Sequence, residues 1–269
     1  MHEVIRPDRT VTYGSPDGHD LEMHFFFPPD SKVESPADRA PRPSILFIHG
    51  GGFQNGQPSQ FFWHAREAAA KGFIACSISY RLSDVASFPA ALVDSRAALG
   101  YLESNSSDLG IDPTKIAVAG SSAGGYLAIF LGATSTRISE DEPEHIPQAA
   151  CVIDIHGVSN LADTPHTDFR AAFMGVAYAD DPEAYRNASP IQYVDSSSSP
   201  MLIFHDPKDE VVSFDQSLHL AEALDSAGVG YKLIRLSGTK HGYVYNRENL
   251  PARETIAESI EWLNKRFLR

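Results

Sequence analysis

Residues 118–125 read VAGSSAGG, and two adjacent serines between glycines raise the question of a nucleophile. Gly120, Ser122 and Gly124 fit G-x-S-x-G, the turn in which a strand runs into a helix and holds a serine at its apex. The flanking positions must be nearly bare, because a side chain there would collide where strand and helix close on each other. Framed on Ser121, the flanks are Ala119 and Ala123, which carry Cβ atoms, so the spacing selects Ser122.

A serine hydroxyl is a weak nucleophile and needs a base, a carboxylate to hold that base, and donors for the developing oxyanion. His241 in LSGTKHGYVY supplies the base: it follows the last expected strand and precedes the last expected helix. The segment PMLIFHDPKDEVV offers two acids just past a strand end. Asp209, four residues after His205 and three before Val212, is the first choice. Asp206 is the alternative and Glu210 a distant third, each with turn formation as its plain role. The order Ser, acid, His is the one that accompanies this turn on a parallel sheet. The stretch HGGGF, residues 49–53, follows a strand and offers unobstructed backbone N–H groups, and the N–H of Ala123 can complete the same anion site.

These residues need a scaffold, and the chain reads as one. From residue 44 onward, SILFIH, FIACSISY, KIAVAG, ACVIDIH, PMLIFH and YKLIRL alternate with stretches of helical periodicity, the pattern of a parallel sheet with crossover helices. Each run is apolar on both faces, as in a buried strand. RTVTYG and LEMHFFF form an antiparallel hairpin turning at SPDGHD. Residues 28–43 are a Pro-rich exposed connection, and residues 157–199 are too long for an ordinary loop and form a candidate lid inserted in a single domain spanning 1–269.

Composition narrows the classes. At 269 residues, with 42% hydrophobic and 21% charged residues, the chain suits one large α/β domain. A formal net charge of −13 without a basic cluster argues against nucleic acid as a partner. No apolar run approaches the roughly 20 residues of a membrane helix, and the charged start MHEVIRPDR points to a cytoplasmic protein unless a leader has been removed. Cys76 and Cys151 lie in separate expected strands and read as free thiols. No metal-ligand spacing, P-loop or dinucleotide fingerprint occurs, so neither metal nor cofactor is implied.

HGGGF, SISYRL, the FPAALVD helix, IDPTKIAVAGSSAGGYLA, DPKDEVV and KHGY, in this order over residues 43–267, resemble the α/β-hydrolase carboxylesterases. Within them the resemblance is to small bacterial acetyl esterases and bifunctional feruloyl and acetylxylan esterases. It implies an eight-stranded, mostly parallel sheet flanked by helices, with the Cys76 and Cys151 strands apart. It further implies Ser122 as nucleophile, His241 as base, Asp209 as orienting acid, and the N–H groups of Gly51, Gly52 and Ala123 as oxyanion donors. Two departures stand out. Hormone-sensitive-lipase relatives carry a long N-terminal cap that this chain is expected to lack. Their DPLxDE motif resembles DPKDE and would favour Asp206, whereas the 19 residues from Asp209 to Gly228 suit the smaller esterases.

Phe53, Tyr126 and Tyr243 are the candidate substrate-binding residues, with Phe173, Met174 and Tyr178 behind them and plain core packing as the alternative for all. Tyr80 and Arg81 are read as fixing a strand end, and Asp94 with Arg96 as a charge pair on a helix face. The expected activity is hydrolysis of short acyl esters, acetyl groups on plant polysaccharides among them, by way of an acyl-enzyme. Feruloyl esterase, arylformamidase, small serine peptidase and a catalytically dead ligand-binding hydrolase are the competing readings. The partner is a small-molecule or carbohydrate ester; the oligomeric state is not encoded in these motifs.

Overall fold

The computed structural model describes residues 4–32, 40–138, 140, 142, 144–165 and 167–267. Eight strands form one sheet: β1 (Arg9–Gly14), β2 (Leu21–Phe26), β3 (Arg42–Ile48), β4 (Ile74–Ile78), β5 (Ile111–Ser121), β6 (Cys151–Ile155), β7 (Met201–His205) and β8 (Tyr231–Arg235). Their order is β1-β2-β4-β3-β5-β6-β7-β8. β2 pairs antiparallel with both β1 and β4, and every later pairing is parallel. This is the mostly parallel, helix-flanked α/β-hydrolase sheet, and the hairpin and all six apolar runs fall where the sequence places them.

Period-two alternation sorts the central strands onto two cores. Leu46, Ile48, Val118, Val152 and Ile203 face α2 (Ala90–Ser104), α4 (Ala123–Ala133) and α7 (Asp215–Ser226). Ile45, Phe47, Ala117, Ile153 and Leu202 face α1 (Phe62–Ala70) and α8 (Leu250–Phe267). Both faces are covered, which is why these strands read as unbroken apolar runs. The edge strand β8 departs from that expectation: it is apolar only at Leu233 and Ile234, which are half-buried, while Tyr231, Lys232 and Arg235 are exposed.

Cys76 on β4 and Cys151 on β6 are separated by β3 and β5, three inter-strand spacings or about 14 Å. A disulfide requires Cα atoms within about 7 Å, so both remain free thiols. Burial pushes both up, Cys151 to about 12, so neither is a reactive thiolate. Among the described residues no helix is long and apolar enough to cross a membrane. Most of the 28–43 connection lies outside the described residues.

Tyr80 and Arg81 fix the end of β4 as anticipated: the Tyr80 hydroxyl donates to the His49 carbonyl at 2.9 Å, and Arg81 Nη2 meets Asp94 Oδ1 at 2.7 Å. The expected Asp94–Arg96 pair is wrong. Two positions apart, these side chains leave a helix in nearly opposite directions. Asp94 turns to Arg81, while the Arg96 guanidinium pairs with Glu142, both side chains being fully buried. Ile138 N–H also donates to Glu142, at 2.7 Å, and Arg96 Nη2 reaches the Thr134 carbonyl.

The buried ion pair generates one prediction. Glu142→Ala strands a guanidinium in the interior and should lower the unfolding free energy by about 3–5 kcal/mol in urea titrations. Combining Arg96→Met with Glu142→Leu should cost much less than Glu142→Ala alone. A single-variant loss under about 1 kcal/mol would contradict the pairing.

A second prediction concerns pH. His64 on α1 packs against Phe47 and Phe61, and burial lowers its pKa to about 3. An unfolded histidine takes a proton near pH 6.5, which the folded one refuses until about 3. The contribution is therefore complete above about 6.5 and is lost as pH falls, at about 1.4 kcal/mol per pH unit. His64→Phe should flatten the decline in stability between roughly pH 6 and 4 by one proton's slope; an unchanged slope would mean the ring is protonated in the fold.

Candidate active site

β5 ends at Ser121 and α4 begins at Ala123, leaving Ser122 alone at the corner with φ 56° and ψ −118°. Left-handed backbone at a non-glycine residue is strained, by about 1–3 kcal/mol. The steric reading of the flanks is exact to the atom: a Cβ on Gly120 would lie 2.0 Å from the Gly124 carbonyl oxygen, and one on Gly124 would lie 2.0 Å from that of Ile48. Ser122 N–H donates to the Ile155 carbonyl at 3.0 Å, and Ser122 accepts from Tyr126 N–H at 3.0 Å, which pins the corner to β6 and α4.

The two serines face different ways. Ser122 Oγ lies 2.9 Å from His241 Nε2, and His241 Nδ1 lies 2.8 Å from Asp209 Oδ2. Ser121 is fully buried, with its Oγ 2.9 Å from His156 Nε2. Asp209 Oδ1 accepts the N–H groups of Val211 and Val212 at 2.8 and 3.0 Å. Burial works to raise the Asp209 pKa, yet the bonds from His241, Val212 and Val211 outweigh it and hold the carboxylate well below its usual range. Asp206 does not reach His241. It accepts the backbone N–H and hydroxyl of Thr239 at 2.7 and 3.1 Å and the N–H of Lys208 at 2.9 Å, anchoring the loop on which His241 sits.

Sequence reasoning missed three residues at this centre. His156, one residue beyond β6 with φ 42°, lies tilted with its ring 4.3 Å from the His241 ring and places Nδ1 3.8 Å from Asp209 Oδ2. Burial, the neighbouring His241 and His205 press its pKa far down, so it is a neutral wall against the His241 ring. His205 contacts Ser217 Oγ at 2.7 Å and the Val212 carbonyl at 3.0 Å, shaping the turn that presents Asp209. The Tyr245 hydroxyl accepts the Gly50 N–H at 2.8 Å and steadies the glycine loop. A polar residue at the end of an apolar strand was the available signal for His156 and His205. Tyr245 had none beyond its proximity to His241.

One side-chain nitrogen of each of His156 and His241 and an oxygen of Asp209 lie within 4.8 Å of one another. His241 and Asp209 already satisfy each other there, which leaves no ready ligand set.

Gly51 (φ 119°) and Gly52 (φ 62°) turn the loop after β3 so that, with Ala123, they line the same cavity as Ser122 and His241. None of their three N–H groups donates to a described residue. The cavity encloses about 340 Å³. Phe53 belongs to its wall, stacked 3.7 Å from Phe173. Tyr126 and Tyr243 do not, contrary to expectation. Tyr126 is fully buried with its hydroxyl on the Ala188 carbonyl, and Tyr243 lies in the other core with its hydroxyl 2.7 Å from Thr255 Oγ1. Phe173, Met174 and Tyr178 pack in the core or against it. From the segment after β6, Val158 and Arg170 reach the wall, the latter on α5 (Asp168–Met174).

A strained serine between β5 and α4 on an eight-stranded sheet of this order defines an α/β hydrolase. Residues 33–224 match the BD-FAE family, and the chain belongs to it. It is 31% identical to Esterase LipC of Mycobacterium tuberculosis over 76% of this chain, and 29% identical to Carboxylesterase NlhH of the same organism over 91%. The chain spans 53% of the length of LipC, about half, and 77% of that of NlhH. Among solved structures, the thermophilic esterase Est2 of the planctomycete Thermogutta terrifontis is similar in its propionate-bound and butyrate-bound forms, with TM-scores of 0.83 and 0.82. In both it is 27% identical, with 96% of this chain and 94% of that one covered.

The closure at the corner yields a direct test. Gly124→Ala should destabilise the protein by about 1–3 kcal/mol or more, because the atom in the way is backbone and cannot swing aside. Gly100→Ala is the control: its Cβ would meet Pro147 at 3.7 Å, ordinary contact within a helix. It should gain about 0.5–1 kcal/mol. Equal effects of the two substitutions, read from thermal and urea unfolding, would refute the steric account.

Proposed function

We propose that the protein is a serine carboxylesterase acting on short acyl esters. The observation that carries this reading is the unbroken line Asp209–His241–Ser122, with bonds of 2.8 and 2.9 Å, ending in a cavity lined by uncommitted N–H groups. Ser122 Oγ attacks the ester carbonyl while His241 Nε2 takes its proton. The oxyanion settles against the N–H groups of Gly51, Gly52 and Ala123, donors of a kind that contribute about 100- to 1000-fold each. His241 returns the proton to the departing alcohol oxygen, then takes one from water as it attacks the acyl-serine and hands it to Ser122 Oγ as the C–Oγ bond breaks and the acid leaves. Asp209 holds His241 in the tautomer with its free Nε2 toward Ser122 and stabilises the imidazolium that forms.

The names of LipC and NlhH and the fold of Est2 support ester hydrolysis over the amidase and peptidase readings. The propionate and butyrate bound by Est2 support short acyl groups. Acetyl groups on plant polysaccharides fall within this class. Residues 157–199 act as the cavity's cover, through Val158 and Arg170.

Turnover of para-nitrophenyl esters from acetyl to dodecanoyl, with methyl ferulate alongside, tests the proposal. Activity should peak at the short end. Ser122→Ala should remove at least about a thousandfold of it and Asp209→Asn a comparable amount. Ser121→Ala, which removes hydroxyl bonds to His156 and Tyr245 but leaves Ser122, His241 and Asp209 in place, should cost less than about tenfold. Full activity in Ser122→Ala, or silence of the native protein on every ester, would end the reading.

A further inference from the structure

The wall of the cavity is mainly apolar or glycine: Gly51, Gly52, Phe53, Val158, Val211 and Val212. Set into it is one permanent cation, Arg170, half-buried on α5. Its environment is unlike that of the other sheltered arginines. Arg42, Arg66, Arg81, Arg96 and Arg247 are each partly or fully buried and each faces a carboxylate, namely Asp30, Asp8, Asp94, Glu142 and Glu248. Arg170 faces none among the described residues and makes no side-chain hydrogen bond there.

Around it are the hydroxyl-bearing rings of Tyr126 and Tyr185, each already donating to a backbone carbonyl. Burial lowers the Arg170 pKa, the direction expected of a cation drawn out of water without compensation. A guanidinium stays charged under such conditions. A charge held this way has an unmet demand for an anion, and a planar fork of N–H donors matches a carboxylate best. The chain as a whole carries a formal net charge of −13, so its overall field repels anions. A preference for an anionic ester would have to come from a local group, and in this cavity Arg170 is the cation available.

We propose that Arg170 is a specificity-determining residue of the site and that the favoured substrates are esters carrying a carboxylate, bound through its guanidinium. The proposal rests on the esterase reading above. The carboxylate can sit on the acyl part or on the alcohol part, and the same chemistry recognises either.

Two matched ester pairs separate these sources. For the acyl part, mono-para-nitrophenyl glutarate is compared with para-nitrophenyl pentanoate; for the alcohol part, para-acetoxybenzoate is compared with para-tolyl acetate. In the native protein the charged member of one pair should show the higher kcat/KM. Arg170→Gln should lower kcat/KM for that ester about 10- to 100-fold more than for its neutral partner, mainly through KM, and Arg170→Lys should restore part of the difference. The pair that responds locates the carboxylate.

Equal or better turnover of the neutral member in both pairs, or equal losses for both members in Arg170→Gln, overturns the proposal and leaves esterase activity standing. A binding measurement separates the two readings further. Calorimetric titration of para-acetoxybenzoate and glutarate into Ser122→Ala protein should show binding that is weakened at least tenfold when Arg170→Gln is added. If no ester is hydrolysed yet this Arg170-dependent binding persists, the esterase reading fails and the carboxylate site stands. Binding that ignores Arg170 removes the site.

Discussion

The structure turns on the closeness with which three backbone segments meet at one point. The end of β3, the end of β5 and the first turn of α4 approach until the carbonyl oxygens of Ile48 and Gly124 occupy the places where Cβ atoms of Gly124 and Gly120 would stand. Only glycine permits that approach. Because the chain cannot relax there, Ser122 is forced into left-handed backbone at the apex, and its hydroxyl is presented rather than folded back into the core. The cost of the strain is small beside what holds it. Every residue of α4 is buried, and a hydrogen bond ties Ser122 N–H to β6. The HGGGF loop, one residue beyond Ile48, is brought beside the serine by the same closure.

Burial and hydrogen bonding at the centre set one histidine apart from its neighbours. Three imidazoles, those of His156, His205 and His241, approach Asp209 Oδ2, at 3.8, 3.7 and 2.8 Å. His156 and His205 are driven toward the neutral form, chiefly by burial, and their ring nitrogens are engaged with Ser121, Ser217 and Val212. His241 alone joins the carboxylate at hydrogen-bond distance while touching the cavity. Asp206 has a complementary part. By binding Thr239 it fixes the loop two residues before His241, so the two acids of DPKDE divide the work of placing that ring and orienting it.

Much of this could be read from the sequence, for reasons that are themselves physical. Glycine spacing encodes steric closure, so Gly120, Ser122, Gly124 and the HGGGF loop were legible one by one. Strands buried on both faces advertise themselves as apolar runs, which made the sheet legible from β3 to β7. The edge strand β8 was less so, since solvent on one side admits Lys232 and Arg235. Side-chain partners across the fold were not legible. Arg96 finds Glu142, 46 residues away, and nothing near Arg96 in the chain marks that acid. The aromatic positions failed for another reason. Tyr126 and Tyr243 sit beside the Ser122 and His241 motifs in the chain, but α4 and the 3-10 turn Tyr243–Tyr245 rotate them into the two cores, while Phe53, on the glycine loop, turns to the cavity.

The same distinction separates the polar centre from the cavity wall. Ser122, His156 and Asp209 sit at strand ends and on the turns that leave them, where pairing register leaves little freedom. The wall contributed by Val158 and Arg170 hangs instead on scattered long-range bonds: Phe88 N–H to the Phe173 carbonyl at 2.6 Å, Tyr126 hydroxyl to Ala188, and Ser159 with Gln216. None of these is periodic or local, so the wall is encoded by contacts that no sequence pattern announces. A sheet that positions Ser122 and a loosely encoded segment that lines the cavity are therefore specified by different parts of the sequence. That is the physical reason why resemblance in the motifs transfers a reaction type more readily than a substrate.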